Sequence, residues 1–281
     1  MDILGLKGIL IACLVFVPLE RLFALHREQK IFRRQWANDL LFLFLNGLVI
    51  KLGLVVVILA VVAATERFVP ASVSGGISAL PLWIQIPLAI LLSDLGFYWV
   101  HRMFHVVPWL WQFHAIHHSI EELDWLAGAR IHPVDQVVTK GVSLIPIFAL
   151  GFSETAVGVY AAFYWWQTMF IHSNVRFRFG PLRWLFASPE FHHWHHSKDL
   201  AARDKNFAAQ LPVLDAVFGS AYMPRGRMPT SYGLDQPMPD RYVQQLLYPF
   251  LRRRAPAAIA RPERGSPQEP DFDRRYQGIG E

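Results

Sequence analysis

Of the 281 residues only one is a cysteine, Cys13, and it lies inside an apolar run. Neither disulfides nor a thiolate metal site is therefore available. Charge is also scarce: 17% of residues are charged against 53% hydrophobic, with a mean hydropathy of +0.26. That balance, with its long apolar runs, excludes an ordinary soluble domain and points to an integral membrane protein. The net charge of +5 does not indicate a nucleic-acid partner, because Lys and Arg sit mainly beside apolar segments. There they suit anionic headgroups and the positive-inside rule. The first apolar run lacks a basic start and a small-residue cleavage site, so an uncleaved anchor is expected rather than a signal peptide. Glu-x-x-His pairs, of which a carboxylate dimetal bundle needs two, are reduced to Glu190 and His193.

Hydropathy divides the chain into segments. A first span is expected over residues 3–19, followed within 1–38 by a basic loop carrying Arg21, Arg27, Lys30, Arg33 and Arg34. A second span over 39–65 holds Lys51, which either snorkels or faces protein. The connection 66–81 has Arg67 as its only basic residue, and this asymmetry places the 21–34 loop in the cytoplasm. A third span, 82–100, completes the 39–100 pair and delivers His101 and His105 at the cytoplasmic boundary. Residues 106–135 are too polar to span. The apolar stretch 137–171 is too long for one span and is interrupted by Pro146, Gly151 and Ser153, which predicts a hairpin entering and leaving on the same face. It lies within a histidine-bearing region, 101–220; residues 221–252 follow as a C-terminal segment, and 253–281, rich in Pro, Arg, Glu and Gly, read as a disordered tail.

What the chain has in abundance is clustered histidine. All but His26 fall between His101 and His196. His101 and His105 are four apart; His114, His117 and His118 share an i, i+3, i+4 spacing that His192, His195 and His196 repeat. On helices such residues lie on one face, and neutral imidazole is the commonest metal-binding side chain. His132 and His172 stand between the clusters, and the lone His26 is expected to be a hydrogen-bonded core or interfacial residue. Eight to ten convergent histidines exceed the needs of one zinc, which takes three or four protein ligands, and predict two metal ions. Imidazole does not choose between Zn, Cu, Fe and Ni, but an iron pair beside a bilayer has a use, activating O2 against unactivated C–H bonds. Asp94, two turns before His101, is expected either to orient a liganding imidazole or to cap or pair within the bundle. Ionisable groups near hydrocarbon usually mark function.

The motifs occur in the order HRxxH (101–105), HxxHH (114–118), R-x-HP (130–133), HSN (172–174), PE-x-H-x-x-HH (189–196) and D-x-N-F (204–207). Together they resemble the fatty acid hydroxylase/sterol desaturase superfamily of membrane oxygenases, sterol desaturase-like bacterial members in particular, over about residues 92–220. The resemblance implies an all-α integral membrane protein: about four transmembrane helices, made of two spans plus a helix and a hairpin, beneath a cytosolic helical cap. It further implies a histidine-bound pair of iron ions using O2 and external electrons. His101, His105, His114, His117, His118, His192, His195 and His196 match the eight motif histidines, and His132 and His172 match additional ones of sterol-type members. Asn174 is expected around the ligands, and Asp204 and Asn206 either to hydrogen-bond liganding imidazoles or to cap a loop. The HxxxH that fatty acid 2-hydroxylases carry before the last box is absent, since Thr168 stands four before His172. His193 is expected to point away from the metals, toward solvent or the membrane surface. Trp109, Trp111, Trp125, Trp184 and Trp194 read as an interfacial belt, and Trp165 and Trp166 as belt residues or a lipid-tunnel lining.

The function these readings predict is O2-dependent hydroxylation or desaturation of a lipid C–H bond, sterol, fatty acyl or related, in a bacterial inner membrane with the site facing the cytoplasm. Electrons are expected from a separate donor, a cytochrome b5-like protein, a ferredoxin or a reductase. Cleavage of alkyl ether lipids by the same chemistry is one alternative. A histidine-rich metal transporter or carrier is another, although transporter sites sit near mid-membrane depth and these histidines gather at one end.

Overall fold

The computed structural model describes residues 6–251; the expected tail and the start of the first span lie outside them. Among the described residues the fold is all-helical, with two isolated β-bridges and no strand. The helices are α1 (Leu6–Leu22), α2 (Trp36–Phe68), α3 (Ala71–Ser78), α4 (Leu82–Val106), α5 (Pro108–His118), α6 (Pro133–Ala149), α7 (Glu154–His172), α8 (Pro189–His195), α9 (Val213–Val217) and α10 (Tyr242–Leu251). Prolines stand at the first turn of α5, α6 and α8, where the missing N–H costs nothing and the fixed φ favours a helix. Ser153 and Ser188 cap α7 and α8, their hydroxyls accepting from Ala156 N and Phe191 N.

Two helices, α2 and α4, are long and apolar enough to cross a membrane. The apolar window of α2 buries nothing inside the protein, and its outward Leu48, Leu52, Val56 and Leu59 form a surface that suits hydrocarbon rather than water. The third expected span ends at residue 100; the helix instead continues to Val106. At ~1.5 Å per residue it exceeds a hydrocarbon core of about 30 Å, so both its histidines lie within its last two turns. Where a hairpin was expected the chain forms two helices, α6 and α7, broken at residues 150–153 and both packed against α4, with Gly151 in the left-handed region at φ 68°. Helix α6 lies against α2 and α4. The backbones of α4 and α6 come so close at Gly96 that a Cβ there would stand 3.3 Å from Val142 O.

Tyr98 of α4, Phe191 of α8, Phe207 and Leu214 share one apolar cluster, which seats α8 and the 204–211 turn on the end of α4. A second cluster joins Ala12 and Phe16 of α1 to Met169 of α7 and Trp125. Trp165 and Trp166 pack against it, so they fill the α1–α7 seam. Trp125 and Trp194 are buried and leave the expected belt to Trp109 and Trp184, which are exposed.

Candidate dimetal centre

Helices α4, α5, α7 and α8 bring nine histidines together in two groups. His101, His105, His114, His118 and His195 form one; His117, His172, His192 and His196 form the other. Within each group the ligand atoms lie within 4.8 Å of one another. The expectation that each i, i+3, i+4 trio acts as one face is refined here. On α5 the flanking pair His114 and His118 goes to the first group and His117 to the second. On α8 and its C-terminal cap residue the assignment is reversed: His192 and His196 go to the second group and His195 to the first.

Six of these rings are fixed from behind. Nδ1 of His101 lies 2.7 Å from Phe207 O, that of His195 2.7 Å from Lys205 O, and that of His117 3.1 Å from Arg130 O. His172 Nδ1 meets Thr168 O at 2.7 Å, His114 Nδ1 meets the Asp135 carboxylate at 2.7 Å, and His105 Nδ1 meets Asp204 at 3.2 Å. Carbonyl and carboxylate oxygens only accept, so each Nδ1 carries the proton and donates, and each Nε2 keeps its lone pair. Those Nε2 atoms point at one another: His101 and His114 are separated by 2.9 Å and His117 and His172 by 3.2 Å. Two bare lone pairs at such distances do not hydrogen-bond. The Nε2 of His105 is buried with no partner at all. Convergent, deprotonated, outer-bonded imidazoles are the donor set of a bound metal, and the residues fit two ions, one per group.

The 204–211 turn supplies much of this support. Asp204 and Asn206 have φ of 54° and 60°, a left-handed conformation that Asp and Asn tolerate better than most residues. Asn206 takes the loop-capping alternative: its amide spans Phe191 O and Tyr222 O at 2.8 Å each. This pins the loop whose Lys205 and Phe207 carbonyls hold His195 and His101. Asp94 takes the second of its two expected roles, a cap within the bundle. Its face of α4 meets the turn rather than an imidazole, and its carboxylate accepts from the backbone N–H groups of Ala209, Gln210 and Leu211. Asn174 is directed to the N-terminal segment, with its side chain on His26 N and O at 2.9 and 3.0 Å. Only Asp204 of the expected outer residues meets a ligand directly.

His132 is not brought to either group. Its Nδ1 accepts from Val134 N at the start of α6 and its Nε2 faces Leu246 O, so the ring is a helix cap, set apart by the turn that lifts Pro133 into α6. His193 does turn away from both histidine groups, but it is buried rather than at a surface. Its Nε2 donates to Ser173 O at 3.1 Å, and its Nδ1 accepts from the Tyr232 hydroxyl, which also meets His26 Nε2 at 3.0 Å. The lone His26 is thus hydrogen-bonded, as a core or interfacial histidine should be.

Three supports had little or no visible signal in the sequence. Asp135 lies 21 residues from His114, and only its place just after R-x-HP hinted at it. Gly128 lets the chain pass His172: a Cβ would stand 3.0 Å from Nδ1. Third, a buried ion network fixes Arg130, whose carbonyl holds His117. Asp39 accepts from Arg33 at 2.6 Å and from Arg130, and Arg33 also reaches Asp124 at 2.7 Å.

Burial, followed by neighbouring imidazoles, holds the pKa of His114, His118, His192, His195 and His196 well below the ordinary value, which is about 6.5 for a free imidazole. Below that pH the unfolded chain binds more protons than the folded one, so stability is full above about pH 6.5 and falls as pH drops. Acid also competes with metal for the same lone pairs. The unfolding midpoint of metal-free protein in detergent should therefore fall steadily from pH 7 to pH 5; a flat profile would contradict the burial of these rings. A second expectation separates the outer residues. Asp204→Asn should cost about 10–100-fold in metal affinity, whereas His193→Gln should keep both metals and lower only the unfolding midpoint. Metal content and melting of the two variants check this.

A fatty acid hydroxylase family model matches residues 86–220. An ornithine lipid hydroxylase of Rhizobium tropici is 32% identical over 62% of this chain and 52% of its own length. Alkylglycerol monooxygenases of Homo sapiens and Danio rerio are 33% and 32% identical over 53% and 59% of the chain, and over 33% and 37% of their own. The chain thus spans about half or less of the length of these relatives. No solved structure matches it. The matched region contains both histidine groups and the turn that holds them, and over it the chain is similar to the fatty acid hydroxylase family.

Proposed function

We propose that the chain is a membrane oxidoreductase that uses O2 and a histidine-bound pair of iron ions to hydroxylate or desaturate a lipid C–H bond. The observation that carries this reading is the two adjoining groups of imidazoles with free Nε2 lone pairs and Nδ1 protons held from behind. Nitrogen donors of this kind suit iron among other metals, and the relatives named above are lipid hydroxylases and monooxygenases by name. An iron pair, when bound, supplies O2 reduction and the oxidising power for a C–H bond.

The residues of the chain do the rest. The five-histidine group and the four-histidine group would each hold one ion. Carbonyls of Lys205, Phe207, Arg130 and Thr168 fix ring orientation, as the carboxyl groups of Asp135 and Asp204 do for His114 and His105. Burial of eight of the nine rings excludes water from the ligand atoms. The head of α4 sets the site at the end of an apolar helix, within reach of acyl chains. With the basic 21–34 loop in the cytoplasm, the site faces that side, where a separate electron donor reaches it. Oxidation beside an ether oxygen, leading to cleavage of an alkyl ether lipid, is the second reading, favoured by the two alkylglycerol monooxygenases. A metal transporter fits less well, since the ligands form two enclosed groups.

The test is metal content after anaerobic purification, joined to lipid profiling of cells with and without the protein. Two irons per chain and a lipid gaining one oxygen or losing two hydrogens are expected. Variable zinc or nickel with an unchanged lipid profile would sink the proposal.

A further inference from the structure

Between α7 and α8 the chain does not simply turn over the cap. Phe179 stacks on Phe170, in the last turn of α7, at 5.9 Å, and Phe177 meets Phe23 at 4.9 Å. Gln167 then donates to Ala187 O at 2.6 Å. Gln167 lies five residues before the end of α7, about 7–8 Å along the helix axis. The segment therefore folds back along α7, toward the apolar body, before α8 begins.

Its outward face is apolar. Leu182 and Leu185 are 56% and 49% exposed, and Trp184 and Phe186 are exposed beside them. Its rim is basic. Residues 176–189 and 221–233 contain Arg176, Arg178, Arg183, Arg225 and Arg227 and no acid. Arg178 reaches Arg227 O and Arg183 reaches Met223 O, which joins the two segments into one patch. The neighbouring carboxylate, Glu190, is buried and lies 3.6 Å from Arg178. Arg176 N bonds to Phe23 O just after α1 ends, so the patch adjoins the end of another apolar helix. Exposed Leu, Trp and Phe ringed by cations is the composition of an element lying in the plane of an anionic membrane surface.

We propose that residues 177–186 form an in-plane lipid contact seated in the headgroup layer of an anionic leaflet, with the five arginines binding phospholipid phosphates. The proposal rests on the membrane placement argued above and is independent of the chemistry. The side chains of Leu182, Trp184, Leu185 and Phe186 enter the acyl boundary, and the guanidiniums stay level with the phosphates. Because the segment leads directly into Ser188, the cap of α8, the lipid contact also steadies the helix that carries the last histidine cluster.

The test uses the full chain with Cys13→Ser in phosphatidylcholine nanodiscs containing phosphatidylglycerol. Spin labels are placed by Leu182→Cys, Leu185→Cys, Leu59→Cys on α2, and Glu121→Cys on the exposed polar surface. Labels at 182, 185 and 59 should collide preferentially with O2, and the label at 121 with a water-soluble nickel chelate. Nickel access at 182 and 185 with O2 access at 59 would overturn the proposal and make the patch a solvent-facing surface for a protein partner. Nickel access at 59 as well would overturn the membrane placement itself. Arg176→Gln/Arg225→Gln/Arg227→Gln should lower phosphatidylglycerol retention by up to about fivefold per arginine, the equivalent of the ~1 kcal/mol a cation gains at such a surface, with metal content unchanged. Equal retention would rule out the phosphate contacts.

Discussion

His117→Ala and His192→Ala should leave the same residual metal signal, and His118→Ala and His195→Ala should leave the other one. If the proposed iron pair is bound, each variant should fall from two irons per chain to about one and lose the proposed lipid oxidation, because a missing ligand opens its own ion's coordination first. The pairing follows from the exchange of the i+3 histidine between groups. His117 lies next to His118 in sequence, yet its Nε2 is 3.2 Å from that of His172, while His118 Nε2 is 3.0 Å from that of His195. Mössbauer spectra of the four iron-57 proteins decide the matter. If His117→Ala matches His118→Ala instead of His192→Ala, the two-group assignment is wrong. His26→Ala, remote from both groups, should retain two irons.

Asp39→Asn should be the most destabilising substitution outside the ligands. Asp39 is completely buried and neutralises two guanidiniums, those of Arg33 and Arg130. Losing its charge leaves Arg33 with Asp124 and Arg130 with the amide oxygen of Gln35. Removing one partner from a buried ionic group costs about 3–5 kcal/mol, since the remaining charge stays desolvated. For a chain of this size that corresponds to a fall of roughly 6–20 °C in the unfolding midpoint. The loss should reach the metal site too, because the Arg130 carbonyl is what His117 Nδ1 bonds. Thermal unfolding in detergent and iron content check both parts; a midpoint within a degree or two of the unsubstituted protein would show that the network does not hold the fold.

Much of the fold was legible because its signals are local. The break between α6 and α7 at residues 150–153 could be read from Pro146, Gly151 and Ser153, and the apolar character of α2 and α4 from hydropathy alone. Helix ends were less legible. The expected stop at residue 100 marked where apolar residues thin out, but hydrogen bonding carries α4 on to Val106. Among the candidate site residues, Asp204 lies against His105. Asp94, Asn174 and Asn206 all bond backbone groups, because buried turns and loop ends present N–H and C=O groups that a short polar side chain beside them must satisfy.

By itself the sequence determined the supply of ligands and their spacing: clustered imidazoles at helical intervals, no thiol near them, and apolar helices to carry them to a membrane boundary. What only the tertiary structure decided is how those ligands are sorted. On a helix, i+4 is displaced about 40° to one side of residue i, and i+3 about 60° to the other. Each HxxHH helix therefore presents two adjacent directions, not one. Which direction meets which depends on how α5 lies against α8, and that packing gives each helix's single i+3 histidine to the other helix's pair. The carbonyls that hold the rings are equally invisible in sequence, since every residue has one. Only the folded chain brings those of Lys205, Phe207, Arg130 and Thr168 within bonding distance of an imidazole.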